Sequence, residues 1–328
     1  MKESIGFAIV GLGMGRSRAG TVKAVEGAEL IGVCDVDEER ARDVSGKLDC
    51  DWTCSFEEVL DRDDVEVVYI MLPSGLHGDF AIKAMRAGKH AIVTKPMDVS
   101  LEKADAMIAT ADETGQILTI DFESRYAKHW RQVKQAIEDG LFGKLILGEA
   151  RLKWRRTQEY YDRSGWRGTW AMDGGGSLAN QTIHYIDLLQ WLMGDAQEVM
   201  AAYCGIFAHD IETEDLGMAM IKFKTGAVGT VLGTTTYPRD HYHGLEIHGD
   251  AGGVIGLRDD LQDWRFVDEE QLPPDVNMPI ANAVEDVISA MQTGSSVAVD
   301  GREGRKSLAL LQAIYQSARE QRSCKISA

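Results

Sequence analysis

A six-residue run, Ile5–Val10, ends directly on Gly11-Leu-Gly13-Met-Gly15-Arg16, and a helix-compatible segment follows at Arg18–Val25. Strand, glycine turn and helix in that order open a wound α/β unit, and such a unit needs further strands alongside the first. Those segments are present. Leu30–Asp35, Val67–Met71, His90–Val93 and Ile117–Ile120 read as strands, alternating with helix candidates at Glu38–Leu48, Phe56–Leu60, Phe80–Ala87 and Leu101–Thr114. The expected class is α/β, with a doubly wound parallel sheet over residues 1–121.

Beyond Asp121–Tyr126, which reads as a hinge, the alternation stops. A helix at His129–Asp139 ends at Gly140, a strand at Leu145–Trp154 enters an aromatic, basic loop, and a helix follows the glycines at 174–176. Strands rich in Val, Thr and Met then come in succession at Glu198–Phe207, Asp215–Lys222, Val228–Thr236 and Gly244–Gly249. Residues 122–328 are therefore expected to form an α+β domain with a large open, mostly antiparallel sheet. An open sheet leaves one face to cover, so a homodimer or homotetramer assembled through it is expected. Gln271–Asn282, with three prolines, reads as a surface loop.

Composition narrows the classes of partner. A length of 328 residues suits two domains, and a net charge of -17 opposes binding to nucleic acid or an anionic membrane. No apolar run is long enough to span a bilayer. Ile5–Val10 is too short for the apolar part of a signal peptide and lacks a cleavage site behind it. Cys34, Cys50, Cys54, Cys204 and Cys324 make no paired framework, which points to reduced thiols and a cytoplasmic protein.

The N-terminal glycines carry chemistry as well as a turn. Gly11 permits the tight bend and Gly13 lets backbone N–H groups approach a pyrophosphate, which the positive end of the following helix attracts. The spacing departs from G-x-G-x-x-G, because Gly15 comes one residue early and Arg16 stands in the next place. Asp35 ends the second strand, about 20 residues further on, where a carboxylate accepts from both ribose hydroxyls of a dinucleotide. A carboxylate there also repels a 2′-phosphate, so NAD is expected over NADP. Arg16 and Arg40 weigh on the other side, since both are placed to help hold a phosphate.

A second informative stretch is Asp173-Gly-Gly-Gly-Ser-Leu-Ala-Asn180-Gln-Thr-Ile-His184-Tyr-Ile-Asp187. On an α-helix, positions i, i+4 and i+7 share a face, so Asn180, His184 and Asp187 are expected to point the same way. The glycines let the backbone pass close to another object just before the helix. Imidazole exchanges protons near neutral pH, which makes His184 a candidate proton-transfer residue. The alternative is a core histidine among Ile183, Ile186, Leu189 and Leu192. Asp187 is either a carboxylate that assists His184 or the ion-pair partner of a nearby lysine or arginine.

Two further stretches complete a pattern that resembles the glucose–fructose oxidoreductase / inositol dehydrogenase / rhizopine-catabolism family (Gfo/Idh/MocA). Met71-Leu72-Pro73-Ser74-Gly-Leu-His77 is similar to the family's proline-asparagine-x-x-histidine turn beside the nicotinamide ribose, with Ser74 in place of asparagine. Gly88-Lys89-His90-Ala-Ile-Val-Thr94-Lys95-Pro96 is similar to its glutamate-lysine-proline signature, with Thr94 in place of glutamate. The motifs are in order over the first two-thirds of the chain. The resemblance implies a Rossmann domain holding NAD(P) with Gly11, Gly13, Met14, Gly15, Arg16, Asp35, Leu72, Pro73, His77, Thr94, Lys95 and Pro96. It implies a cis bond before Pro96, Lys95 between nicotinamide and substrate, His184 as the proton-transfer residue, and Asn180 at the position of a family aspartate. Oxidation of a secondary alcohol sends hydride to the nicotinamide while a base takes the hydroxyl proton and an ammonium stabilises the developing negative charge.

Indoles and guanidiniums concentrate at Trp154-Arg-Arg156 and Trp166-Arg167-Gly-Thr-Trp170. Indoles stack on sugar rings, and arginines grip hydroxyls, carboxylates or phosphates. Trp166, Arg167, Asn180, His184 and Tyr237 are the candidate substrate contacts, while Trp170 suits packing as well as contact. His241 and His243 are a poor metal signal, and no metal is expected. The reading is an oxidoreductase passing hydride between NAD and a sugar, inositol or sugar acid. Two alternatives stand beside it: a glycosidase that oxidises, eliminates and re-reduces with bound NAD, and a sensing regulator that has lost catalysis.

Overall fold

The computed structural model describes residues 4–268 and 271–327. In its first unit, β1 (Ile5–Val10), β2 (Ala28–Cys34), β3 (Asp51–Thr53), β4 (Val67–Ile70), β5 (His90–Thr94) and β6 (Leu118–Asp121) form one sheet in the order β3-β2-β1-β4-β5-β6. Every pairing is parallel. Helices α1 (Gly15–Ala24), α2 (Glu38–Leu48), α3 (Phe56–Leu60), α4 (His77–Arg86) and α5 (Leu101–Thr114) connect the strands. All residues of β1, β4 and β6 are buried, as expected of strands covered on both faces. The strand order turns back on itself between β1 and β4, and such sheets bind ligands beyond the carboxyl ends of the strands at that switch point.

Local chemistry sets most helix starts. Asp37, Ser55 and Ser100 cap α2, α3 and α5 by accepting from Arg40, Glu58 and Lys103 backbone N–H groups. Gly115 closes α5 in the left-handed conformation. The strands and helices expected in this half are present within a few residues. β3 has two exposed residues and no periodicity to read.

The second unit contains α6 (Lys128–Glu138), β7 (Leu145–Lys153), α7 (Gln158–Asp162) and a π-helical segment, Ser177–Thr182, that runs into α8 (Ile183–Met193). β8 (Ala196–Gly205), β9 (Leu216–Phe223), β10 (Val228–Thr234), β11 (His243–Gly249), β12 (Gly252–Leu257), β13 (Leu261–Phe266) and β14 (Cys324–Lys325) join β7 in an eight-stranded sheet ordered β13-β12-β11-β7-β10-β9-β8-β14. All pairings are antiparallel except β7 with β10. The π segment and α8 lie on one face, which requires small residues: a Cβ on Gly148, Gly217 or Gly233 would strike Leu189, Leu178 or Thr182. On the strands, Ile146, Met200, Tyr203, Met218, Met220 and Val228 are exposed. Gln271–Asn282 has no regular structure apart from bends.

The two units are not simply consecutive. The first comprises the chain up to Asp121 together with Ile280–Arg305, and the second Phe122–Pro279 together with Lys306 onwards. Ile280–Arg305, assigned by sequence to residues 122–328, carries α9 (Ala283–Thr293) and returns to the free edge of β6. There the Val299 carbonyl accepts from the Ile120 N–H at 2.9 Å and from Thr119 Oγ1 at 2.8 Å. Those bonds satisfy an edge that would otherwise be open to pairing with another chain. α10 (Gly301–Glu320) follows. Among the described residues no helix is long and apolar enough to cross a membrane.

Candidate active site

Gly11 lies at φ +91°, and a Cβ on it would sit 2.7 Å from the Met71 carbonyl oxygen. The turns after β1 and β4 therefore approach so closely that only glycine fits. Around Gly13 the Cβ position meets only open space. α1 starts there without a side-chain cap and without an acidic residue in its first turn. Its positive end and first amide donors are left for an anion, and Met14 and Arg16 beside them are exposed. The residues present fit a dinucleotide pyrophosphate.

Asp35 is buried at the end of β2 and engaged on both oxygens. Leu12 N–H donates to Oδ2 at 2.7 Å, Asp37 N–H to Oδ1 at 2.9 Å, and Arg40 Nη1 to both at 3.0 and 3.1 Å. On the other side of β1, the half-buried Leu72–Pro73 turn follows β4, half-buried Thr94 ends β5, and half-buried Lys95 comes directly after it. The Lys95–Pro96 peptide is cis. His77 is buried between these two loops, with Nδ1 2.9 Å from the Pro96 carbonyl and Nε2 2.8 Å from the Leu72 carbonyl. Burial pushes its pKa down, and a neutral ring donates only one of those two bonds. His77 thus lies between the loops of the expected cofactor site, donating to one of the two carbonyls, and does not present its nitrogens outward.

In the second unit, one stretch has an unusual burial profile. Every residue of Ser177–Gln190 is buried except Asn180 and His184. His184 packs edge-on to Phe122, with ring centroids 6.4 Å apart. Asn180 Nδ2 donates to Asp173 Oδ1 at 2.6 Å, and Asp173 Oδ2 accepts from the Gly168 N–H at 2.9 Å. The carboxylate beside Asn180 is therefore Asp173.

The expectation that Asp187 shares the face of Asn180 and His184 is corrected. Asn180 lies in π geometry, whose wider turns break the 3.6-residue spacing, and α8 begins only at Ile183. Asp187 is fully buried and accepts from Arg125 Nε at 2.8 Å, Arg125 Nη2 at 2.7 Å and Ser307 Oγ at 2.7 Å. It is the partner of an arginine, the other possibility weighed for it.

The glycine run serves a close approach to protein. A Cβ on Gly175 would lie 2.0 Å from Tyr315 Oη, and one on Gly176 would lie 1.8 Å from the Glu214 carbonyl oxygen. The Glu214 carboxylate accepts from Gly176 N–H at 2.9 Å, Leu178 N–H at 2.8 Å and Tyr315 Oη at 3.0 Å. Burial pushes its pKa up to about 7, against the downward pull of those backbone donors. Nothing in the sequence singled out Glu214, because Glu212-Thr-Glu214-Asp215 reads as a solvated acidic run.

The aromatic and basic loop condenses around Tyr160, which the sequence reading passed over. Arg167 lies over the rings of Tyr160 and Trp166, 4.6 and 4.9 Å from their centroids. Arg156 lies over Trp154 and Tyr160 at 4.7 and 5.1 Å. Gln181 Nε2 donates to Tyr160 Oη at 3.0 Å and to Asn180 Oδ1 at 3.3 Å, joining the cluster to the Asn180 segment. Tyr237 stacks on His241 at 5.3 Å, and its N–H donates to the Trp154 carbonyl at 3.1 Å. Trp170 instead donates to the Glu212 carbonyl and packs on Tyr315.

Residues 5–122 match the oxidoreductase family with an NAD-binding Rossmann fold, and residues 130–255 match the GFO/IDH/MocA C-terminal domain. The chain is 30% identical over 264 residues to scyllo-inositol 2-dehydrogenase (NAD(+)) of Bacillus subtilis, covering 78% of this chain and 74% of that one. It belongs to the Gfo/Idh/MocA family. Across this Gfo/Idh/MocA chain, the WlbA dehydrogenase of Chromobacterium violaceum, solved in complex with NADH and UDP-GlcNAcA, superposes with a TM-score of 0.91. That pair is 34% identical, covering 100% of this chain and 97% of that one. A 2,7-anhydro-N-acetylneuraminate hydratase of Mediterraneibacter gnavus is 28% identical over 259 residues, covering 77% of this chain and 67% of that one. The Gfo/Idh/MocA chain is thus an NAD-dependent oxidoreductase, and its glycine turn, α1 and Asp35 lie in the NAD-binding half.

Proposed function

We propose that this oxidoreductase passes a hydride between NAD and a secondary alcohol of a sugar-like substrate carrying an acidic group. The observation that carries the reading is that Asn180 and His184 alone are partly exposed in an otherwise buried Ser177–Gln190. A half-buried imidazole on an otherwise buried segment suits transfer of the hydroxyl proton. His184 takes that role, Asn180 orients the substrate, and Lys95 stabilises the substrate oxygen as charge develops. When bound, NAD supplies the hydride acceptor. The glycine turn, Met14, Arg16, Asp35 and the Leu72–Pro73 and Thr94–Pro96 loops would hold it, with His77 bracing those loops.

Trp166, Arg167 and Tyr237 are assigned to the substrate. Arg156 and Arg167, stacked on aromatic rings, favour an anionic group on it. The complex of the WlbA dehydrogenase with a nucleotide-linked sugar acid supports the same class. The test is a panel of inositols, neutral sugars, sugar acids and nucleotide-linked sugar acids with NAD, read at the reduced-nicotinamide absorbance. Reduction with acidic sugars is expected. NAD binding without reduction by any member would overturn the reading, and glycoside cleavage without NADH accumulation would transfer it to the glycosidase alternative.

The second domain is also assigned self-association, through the sheet face bearing Met200, Tyr203, Met218 and Met220. Light scattering behind size exclusion should give a dimer or tetramer, and the Met218→Asp/Met220→Asp variant should give monomer. A monomeric parent protein at micromolar concentration would rule this out. The five free thiols suit a reducing compartment, and the cytoplasm is the proposed location.

A further inference from the structure

We propose that Arg40 competes with the adenosine ribose for Asp35 and so sets how sharply the protein discriminates NAD from NADP. The inference rests on the assignment of Asp35 to the ribose made above.

A carboxylate has about four lone-pair sites. At Asp35 two are held by backbone donors that belong to the fold, Leu12 N–H at 2.7 Å and Asp37 N–H at 2.9 Å. The other two are held by one side-chain nitrogen, Arg40 Nη1, at 3.0 and 3.1 Å. A ribose diol needs two acceptor positions, so it gains them only where Arg40 withdraws. The means of withdrawal is built in. The Arg40 side chain is 37% exposed, against 5% for that of Asp35. Its second nitrogen, Nη2, is held at 2.8 Å by Asp37, whose side chain is 43% exposed. Rotation of the side chain can release Asp35 while Asp37 keeps the guanidinium close by.

Two opposite effects on the 2′ position follow. Asp35 accepts a 2′-hydroxyl and repels a 2′-phosphate. A guanidinium retained beside it attracts that phosphate and weakens the rejection. Arg40 thus lowers affinity for NAD, through competition, and raises affinity for NADP, through its charge.

The experiment is titration calorimetry of NAD and NADP into the full chain, comparing the parent protein with Arg40→Leu and Arg40→Lys. Arg40→Leu removes both the competitor and the charge, so the ratio of the NADP to the NAD dissociation constant should rise by about tenfold or more. NAD itself should bind no more weakly than to the parent. Arg40→Lys keeps a charge without the planar fork, and its ratio should stay between the other two. The proposal falls if the ratio in Arg40→Leu stays within about twofold of the parent, or drops, in protein whose circular dichroism matches the parent. It also falls if both nucleotides lose affinity equally, since that would make Arg40 a general contact. Failure of the parent protein to bind either nucleotide would instead remove the Asp35 assignment beneath it.

Discussion

His184→Ala is expected to lower kcat by about two to four orders of magnitude, the range for removing a positioned proton-transfer group. The substitution should leave the NAD dissociation constant close to that of the parent, because the glycine turn, α1 and Asp35 belong to the other unit. It should also leave cooperative unfolding intact. His184 is only partly buried and makes an edge contact with Phe122, whereas the core of its helix is carried by Ile183, Ile186, Leu189 and Leu192. Steady-state kinetics, nucleotide titration and thermal unfolding on one preparation check all three. An undiminished kcat removes His184 from the chemistry. A kcat loss that tracks an equal loss of NAD binding or of stability makes its role structural.

The second large effect is on stability. Asp187→Ala should destabilise the protein by about 3–5 kcal/mol, the cost of breaking a buried ion pair by removing one partner. The size follows from the geometry. Arg125 meets Asp187 through two nitrogens at 2.8 and 2.7 Å, and their side chains are 4% and 0% exposed. Alanine leaves a guanidinium inside the protein without its carboxylate and removes the acceptor of Ser307 Oγ. An apparent melting temperature lower by roughly 10 °C is expected. Ser307→Ala removes one hydrogen bond to the carboxylate and should cost less, about 1.5–3 kcal/mol. Unfolding of Asp187→Ala within a degree or two of the parent would contradict this account.

Legibility followed locality. The bounds expected for α2 and α5 match the structure, and the chemistry at those ends is local: Asp37 and Ser100 cap the starts and Gly115 closes α5. The glycine turn after β1 was readable because three glycines between a strand and a helix have few other uses. β12, β13 and β14 did not appear in the sequence reading; β14 is two residues long and exists only by pairing with β8. The shared face of Asn180, His184 and Asp187 was a correct inference for an α-helix and failed because the segment starts in π geometry. Tyr160 had no signal of its own, since its importance lies in being the ring between Arg156 and Arg167.

Taken alone, the chain determined its succession of strands and helices, the winding of its first sheet and the residue types able to handle a dinucleotide and a proton. Each of those properties is written in neighbours along the backbone, where periodicity, capping and glycine placement act. Which carboxylate meets which partner was decided only in three dimensions. Arg125 and Asp187 are 62 residues apart, Ser307 and Asp187 are 120 apart, and Glu214 reaches back 36 residues to the Leu178 N–H. Burial makes each of these pairings obligatory, because a charge or amide removed from water must find a partner wherever the fold brings one.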